Sequence, residues 1–180
     1  MASVSLFAFR GEYRRMSQAV LRLAAGPCRR ISIQGAHVRS VPQAPAPHTT
    51  KTIVLVEPDD AIRGSLLDWL RGAMPELCIA GAATADEAVT MARAESPCII
   101  VVDIADPNAK GEEILESIKG GAPAADVVAL TMCDHNAYRD GLKSAGACDS
   151  VLIWETRVKL PAAIRQLLDT RSGEAGFGYR

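Results

Sequence analysis

The sequence predicts an α/β domain in which a five-stranded parallel sheet is covered by helices on both faces. Short runs of nearly uninterrupted apolar residues alternate with longer stretches whose apolar residues recur at helical spacing. The runs show little polar alternation, which is typical of parallel strands buried on both faces. Only 4% of the 180 residues are aromatic, so we expect an aliphatic core.

Five apolar runs are the predicted strands. They comprise residues 52–56, 78–83, 98–102, 127–131 and 150–153. Each is four to six residues long, the usual length of a strand, and turn-forming residues bound the runs.

A stretch with the pattern of an amphipathic helix follows each run. The capping box Thr84-Ala-Asp-Glu87 opens the second helix, and Ser96-Pro97 marks its end. Gly146 is expected to stop the fourth helix, and Pro161 fits the last helix only in its first turn. The apolar positions of the other four helices are Ile62, Leu66, Leu67, Leu70 and Met74; Ile114, Leu115 and Ile118; Tyr138, Leu142 and Ala145; and Val158, Ala162, Ile164, Leu167 and Leu168.

Five β-α units in about 120 residues are the count of a flavodoxin-like, doubly wound sheet with strand order 2-1-3-4-5. We therefore place one domain at residues 51–170. Residues 1–50 are predicted to be a disordered or weakly structured Arg-rich arm that ends in a Pro/Ala linker. Residues 171–180 are predicted to be a flexible tail.

Charge is distributed unevenly along the chain. Residues 1–50 carry seven Arg and one Glu, a net charge of +6, whereas residues 51–180 carry 13 Lys or Arg against 20 Asp or Glu, a net charge of −7. Direct binding of nucleic acid is not expected of the acidic domain, because phosphate backbones are bound by clustered Lys and Arg.

Three interpretations of the first 50 residues stay open: a transit peptide, an over-extended start before Met16, or a partner-binding arm. No apolar stretch is long enough to predict a membrane span.

Acidic residues follow the first and third predicted strands. The first strand leads into Glu57-Pro58-Asp59-Asp60, and the third leads into Asp103. In a sheet of this order, the carboxyl ends of those two strands border a crevice. Two carboxylates brought together there favour a bound divalent metal ion, so Glu57 and Asp103 form a candidate metal site. An equally supported interpretation is that Asp59 and Asp60 are ordinary turn and helix-capping residues.

Five segments, which span about two thirds of the chain, resemble the response-regulator receiver family in order and spacing. They are residues 53–63, 81–88, 98–111, 127–131 and 144–147. The third segment is the most specific, because an apolar strand is followed by Asp103, by Pro107 four residues later and by Gly111 eight residues later.

The resemblance implies a CheY-like protein in which Asp103 accepts a phosphoryl group from a histidine kinase or a phosphotransfer protein. It implies that Thr131 hydrogen-bonds the bound phosphoryl group, and that Glu57 and Asp103 hold Mg²⁺. Asp59 would contribute a ligand only if its loop shifted by one residue. A single-domain receiver of this kind would be cytoplasmic, would act by binding other signalling proteins and would not be an enzyme.

Three departures from the family pattern predict an impaired site, or pseudo-receiver. Pro58 stands where the family has an Asp that binds the metal directly, so Mg²⁺ is expected to bind weakly or not at all. The lysine that follows the last strand in the family aligns with Ile153 or Trp154. Its aromatic switch residue aligns with Ser150.

A rival hypothesis is a small-molecule or nucleotide-binding protein, or an enzyme, on a flavodoxin-like scaffold. The acidic first loop argues against it, because that loop would repel a phosphate group. Trp154 is expected to be partly buried rather than fully exposed. The five cysteines include no C-x-x-C pair, and four lie in or beside apolar runs, where thiols are usually buried.

Overall fold

A five-stranded parallel sheet is flanked by five α-helices in the part of the chain that the structure describes. The computed structural model describes residues 51–94, 98–106 and 110–174. The strand order is β2-β1-β3-β4-β5. The predicted fold class and strand order are therefore confirmed. The predicted arm and the helix end at Ser96-Pro97 lie outside the described residues.

Strands and helices alternate along the whole domain. In chain order they are β1 (Thr52–Val56), α1 (Asp60–Ala73), β2 (Cys78–Ala82), α2 (Ala85–Ala94), β3 (Cys98–Asp103), α3 (Gly111–Gly121), β4 (Asp126–Thr131), α4 (Asn136–Ser144), β5 (Asp149–Leu152) and α5 (Thr156–Glu174). A 3₁₀ turn, Ile153–Glu155, joins β5 to α5. The predicted strand bounds differ from these by one residue at most.

Two apolar clusters fill the space on the two faces of the sheet. Alternate strand residues such as Val54, Ile100 and Val127 pack against helices α2, α3 and α4. Their neighbours, such as Ile53 and Val101, pack against α1 and α5. Because successive side chains of a strand point to opposite faces, a run without polar residues satisfies both clusters at once.

Local sequence signals fix several helix ends. Thr84 Oγ1 accepts a hydrogen bond from the Glu87 amide at 3.2 Å, as the predicted capping box requires. The Glu87 carboxylate in turn accepts from the amide of Ala83 at 2.7 Å, one residue earlier than in the usual motif. Gly146 has a φ of +108°, the backbone conformation that lets the chain turn away after α4.

The last helix differs from its prediction in two respects. Val158 is 80% exposed and Ala162 is also exposed, whereas Leu160, Ala163 and Ile164 face the core. Pro161 lies in the second turn of α5 rather than the first, because the helix begins at Thr156. The predicted positions Ile164, Leu167 and Leu168 do pack on the core, so only Val158 and Ala162 were wrongly assigned.

Two smaller predictions are also corrected. Helix α5 runs to Glu174, so residues 171–174 are helical rather than part of a flexible tail. The Arg171 guanidinium pairs with Asp126, which fastens the end of this helix to β4. Three of the four cysteines expected to be buried, Cys78, Cys133 and Cys148, are exposed.

None of the described helices is long and apolar enough to cross a lipid bilayer.

Two adjacent glycines at the end of α3 offer a matched test of helix packing. A Cβ at Gly121 would lie 2.5 Å from Val89 Cγ1 of α2, whereas a Cβ at Gly120 would meet nothing within 4 Å. We expect Gly121→Ala to lower the free energy of unfolding by about 1–3 kcal/mol through overpacking. Gly120→Ala should be neutral or slightly stabilising, because alanine is the better helix former. Urea denaturation of both variants checks this, and equal effects of the two substitutions would contradict it.

Candidate functional site

The carboxyl ends of β1 and β3 bring Glu57 and Asp103 together. The two strands are parallel neighbours, and Val56 lies opposite Val102. The next residue along each strand is therefore Glu57 or Asp103, and the two side chains share a hydrogen bond. The predicted meeting of these two residues is confirmed, although no observation tests the roles assigned to them.

Glu57 is the more perturbed member of the pair. Its side chain is 2% exposed. Burial, together with the nearby charge of Asp103, raises its pKa from 4.5 to about 8. Its Oε1 atom accepts from the Asp59 amide at 2.8 Å, which opposes the shift. At neutral pH Glu57 is therefore the member of the pair that favours the protonated form.

Asp103 is held by its own loop. The side chain is 8% exposed, and its Oδ1 atom accepts from the amide of Ala105 at 2.8 Å. One carboxylate oxygen of Asp103 is therefore tied to the backbone, and the carboxylate also hydrogen-bonds Glu57.

Asp59 and Arg63 fix the loop between β1 and α1. Asp59 is the N-cap of α1, where its Oδ1 atom accepts from the amides of Ala61 and Ile62 at 3.0 and 3.2 Å. This geometry is the capping role that the sequence left open. Arg63 Nη1 donates to the carbonyl of Glu57 at 2.6 Å and approaches the carbonyl of Pro58 at 3.4 Å. No sequence pattern indicated the role of Arg63.

Thr131 ends β4 beside the pair. It is 2% exposed, and its Oγ1 atom accepts from the amide of Cys133 at 3.0 Å. The phenol of Tyr138, whose pKa is raised chiefly by burial, lies near the Thr131 hydroxyl. The sequence placed Tyr138 in the core of α4 and gave no signal for this contact.

The end of β5 carries the other departures from the family pattern. Trp154 is 45% exposed, so more of its surface is open than the sequence indicated. Ser150 is buried and accepts from Arg139 Nε at 3.2 Å. The hydroxyl of Thr156 is buried without a hydrogen-bond partner among the described residues.

The side chains at this site supply only some of the ligands that a divalent metal ion needs. Glu57 and Asp103 supply two carboxylates, and Mg²⁺ is often held by one or two carboxylates together with water and phosphate oxygens. Within the described residues, no group of three His, Cys, Asp or Glu side chains is placed to hold a metal ion. Pro58, between Glu57 and Asp59, has no side-chain ligand. The residues fit a weakly held ion rather than a tightly bound one.

A separate cleft lies beside α2 and α3. It has a volume of about 500 Å³, is open to solvent, and is lined by Thr84, Ala85, Asp86, Lys110, Glu113, Ile114 and Ser117. None of the site residues described above lines it.

The strand order and the acidic crevice at the switch between β1 and β3 define a class: a doubly wound α/β domain with a carboxylate site. The chain also matches the response regulator receiver domain family over residues 53–165. It therefore belongs to that family, and the predicted membership is confirmed.

Solved receiver structures superpose on this chain. A two-component response regulator of the LuxR family from Aurantimonas sp. SI85-9A1 is 29% identical, with a TM-score of 0.58 over 67% of this chain and 86% of that one. A CheY-like response regulator receiver domain protein from Methanospirillum hungatei JF-1 is 25% identical, with a TM-score of 0.58 over 69% of this chain and 98% of that one. A signal receiver domain from Colwellia psychrerythraea 34H, at 20% identity and a TM-score of 0.56, covers 66% of this chain and 98% of its own, and shows the fold alone. No curated protein matches this chain.

Proposed function

We propose that this protein is a pseudo-receiver: a receiver domain in a phosphorelay whose acceptor site is impaired, and which acts by binding other signalling proteins. Asp103 holds the acceptor position. Its partners would be a histidine kinase or phosphotransfer protein and further signalling proteins, with no direct contact to nucleic acid. In this proposal the protein works in the cytoplasm and is not an enzyme.

The hydrogen-bonded pair of Glu57 and Asp103 carries the proposal. For phosphotransfer, a carboxylate oxygen of Asp103 bonds to phosphorus while the bond between phosphorus and the donor's leaving atom breaks. An oxygen that accepts the Glu57 proton is a weaker nucleophile than a free carboxylate oxygen. The other interactions of Asp103, including the one with Ala105, restrict its carboxylate further.

Two sources of positive charge that the family uses, a metal ion and a lysine, are expected to be weak or missing here. A bound Mg²⁺ would neutralise charge on the acceptor and the phosphoryl oxygens, and Glu57 and Asp103 are the residues that would hold it. Glu57 can do so only after losing its proton, which the raised pKa opposes at neutral pH. Neither Ile153 nor Trp154 offers a cation where the family has a lysine. In this proposal Thr131 would donate a hydrogen bond to a phosphoryl oxygen.

Phosphorylation by a small donor tests this function directly. We expect intact-mass spectrometry to show little or no phosphoryl adduct after incubation with acetyl phosphate and Mg²⁺. The Asp103→Asn variant is the matched negative control, and a receiver with the full set of acidic residues and lysine is the positive control. A substantial adduct on the wild-type chain that is absent from Asp103→Asn would contradict the impaired site.

A further inference from the structure

Strand β2 has one edge that no described strand covers. It pairs with β1 on one side and stands at the end of the strand order on the other. Cys78 and Ala82 direct their backbone groups to β1, where the Cys78 amide donates to the carbonyl of Lys51 at 3.2 Å. Because alternate residues of a strand direct their backbone groups to opposite sides, those of Ile79 and Gly81 face the uncovered edge.

The sequence of β2 carries nothing that would discourage another strand from pairing with it. From Leu77 to Ala83 the chain reads Leu-Cys-Ile-Ala-Gly-Ala-Ala, without a charged side chain or a proline. Proteins usually protect an edge strand with charged residues or proline, because its free N–H and C=O groups are a template for pairing. An exposed apolar window of this kind favours association between chains. Protection of this edge therefore has to come from outside the strand.

Arg71, in the last turn of α1, places its guanidinium on this edge. Its Nε and Nη2 atoms donate to the carbonyl of Ile79 at 3.2 and 2.9 Å. The charge of the guanidinium makes these bonds stronger than bonds between neutral groups. The remaining nitrogen, Nη1, lies 4.0 Å from the carboxylate of Asp68 on the same helix. A side chain of α1 thus occupies an acceptor that a further strand would use.

A second copy of the chain would need this acceptor. Two β2 strands paired antiparallel about a two-fold axis at Ala80 would place Ile79 of one molecule opposite Gly81 of the other. In such a hydrogen-bonded pair, the carbonyl of Ile79 accepts from the amide of the opposite Gly81. With the guanidinium of Arg71 bound to that carbonyl, the two edges are kept apart.

We propose that Arg71 is an edge-blocking residue: its guanidinium holds the Ile79 carbonyl and so prevents the β2 edges of two copies of this chain from joining their sheets. A second copy is the partner that the uncovered edge fits, because the strand and its uncharged side chains are the same on both molecules. The inference uses no residue of the acidic crevice, so it goes beyond the proposed function and does not depend on it.

Amide exchange measured by NMR on the full-length chain tests this role. In the wild type, the amides of Ile79 and Gly81 should exchange at rates that do not depend on protein concentration. Arg71→Met removes the donors and keeps most of the aliphatic stem, so protection of these two amides should rise with concentration. Sedimentation velocity should show that the association constant of the dimer is raised roughly 10- to 100-fold, the range for loss of a hydrogen bond to a charged group.

Two further variants identify the cause of any association. Arg165→Met makes the same substitution at an exposed position of α5, a helix that packs against β4 and β5, and should behave as the wild type. Arg71→Ala should act as Arg71→Met does, which excludes the apolar surface of methionine as the cause. Exchange at Ile79 and Gly81 that stays independent of concentration in both Arg71 variants would overturn the proposal. Concentration-dependent protection already present in the wild type would overturn it as well.

Discussion

The substitutions Pro58→Asp and Trp154→Lys, made together, should raise the rate at which Asp103 accepts a phosphoryl group by roughly 10³-fold or more. Pro58→Asp supplies the missing carboxylate, and Trp154→Lys places a cation at the exposed one of the two positions that align with the family's lysine; each source of transition-state charge stabilisation is commonly worth about 2–4 kcal/mol. Neither substitution should disturb the core, because Pro58 is exposed and Trp154 is 45% exposed. Time courses of adduct formation with acetyl phosphate and Mg²⁺ measure the rate for each single variant and for the pair.

Two controls separate a restored site from a general effect of charge. Val158→Lys places the same charge one helical turn beyond Trp154, at a side chain that is 80% exposed, and should leave the rate near wild type. Asp103→Asn in the doubly substituted chain should abolish the adduct. If the double variant reacts no faster than the wild type, the missing groups are not the cause of the impairment.

The contribution of Glu57 to stability should fall as pH rises from about 4.5 to 8, because its pKa is raised from 4.5 to about 8 in the folded chain. Below pH 4.5 Glu57 is protonated in both the folded and the unfolded chain, so its ionisation does not change the free energy of unfolding. Between the two values the folded chain binds the extra proton, and the free energy of unfolding falls by up to about 1.4 kcal/mol per pH unit. Above pH 8 both forms are ionised and the cost is constant, at roughly 3–5 kcal/mol.

The Glu57→Gln variant isolates this effect. Glutamine is neutral at every pH and keeps an oxygen that can accept from the Asp59 amide and a donor for Asp103. We expect the variant to gain stability relative to the wild type as pH rises, with the gain complete above pH 8. Urea denaturation at several pH values provides the measurement, with Glu116→Gln on the exposed surface as the matched control. Parallel stability profiles for the wild type and Glu57→Gln would show that Glu57 is not buried in the protonated form.

The fold was predictable because the relevant signals are local and redundant. The five apolar runs, the capping box at Thr84 and the turn at Gly146 each indicate an element independently of the others. The meeting of Glu57 and Asp103 followed from strand order alone, since adjacent parallel strands end at the same edge of the sheet. Helix α5 was harder because Pro161 gives a false indication of where the first turn lies.

Contacts made by long side chains were not predictable. Arg63 reaches back to the carbonyls of the β1–α1 loop, and Arg139 reaches across to Ser150, yet neither spacing is distinctive in a sequence. The position of the Tyr138 hydroxyl, which a Cβ at Gly111 would meet at 2.9 Å, was not predicted, because an aromatic residue in an apolar stripe is interpreted as part of the core. Such contacts depend on rotamers and on gaps such as the one above Gly111, which only coordinates reveal.

The β1–α1 loop restricts which ligands a cation could recruit. For Asp59 to turn toward the crevice, it would have to give up the first turn of α1, at a cost of about 1 kcal/mol for the lost cap. The hydrogen bond from Arg63 to the Glu57 carbonyl opposes the same movement. The loop therefore supplies no further carboxylate without a rearrangement. Because phosphate oxygens can complete the coordination of magnesium, the ion and a phosphate-bearing donor are expected to bind synergistically, each increasing the affinity for the other.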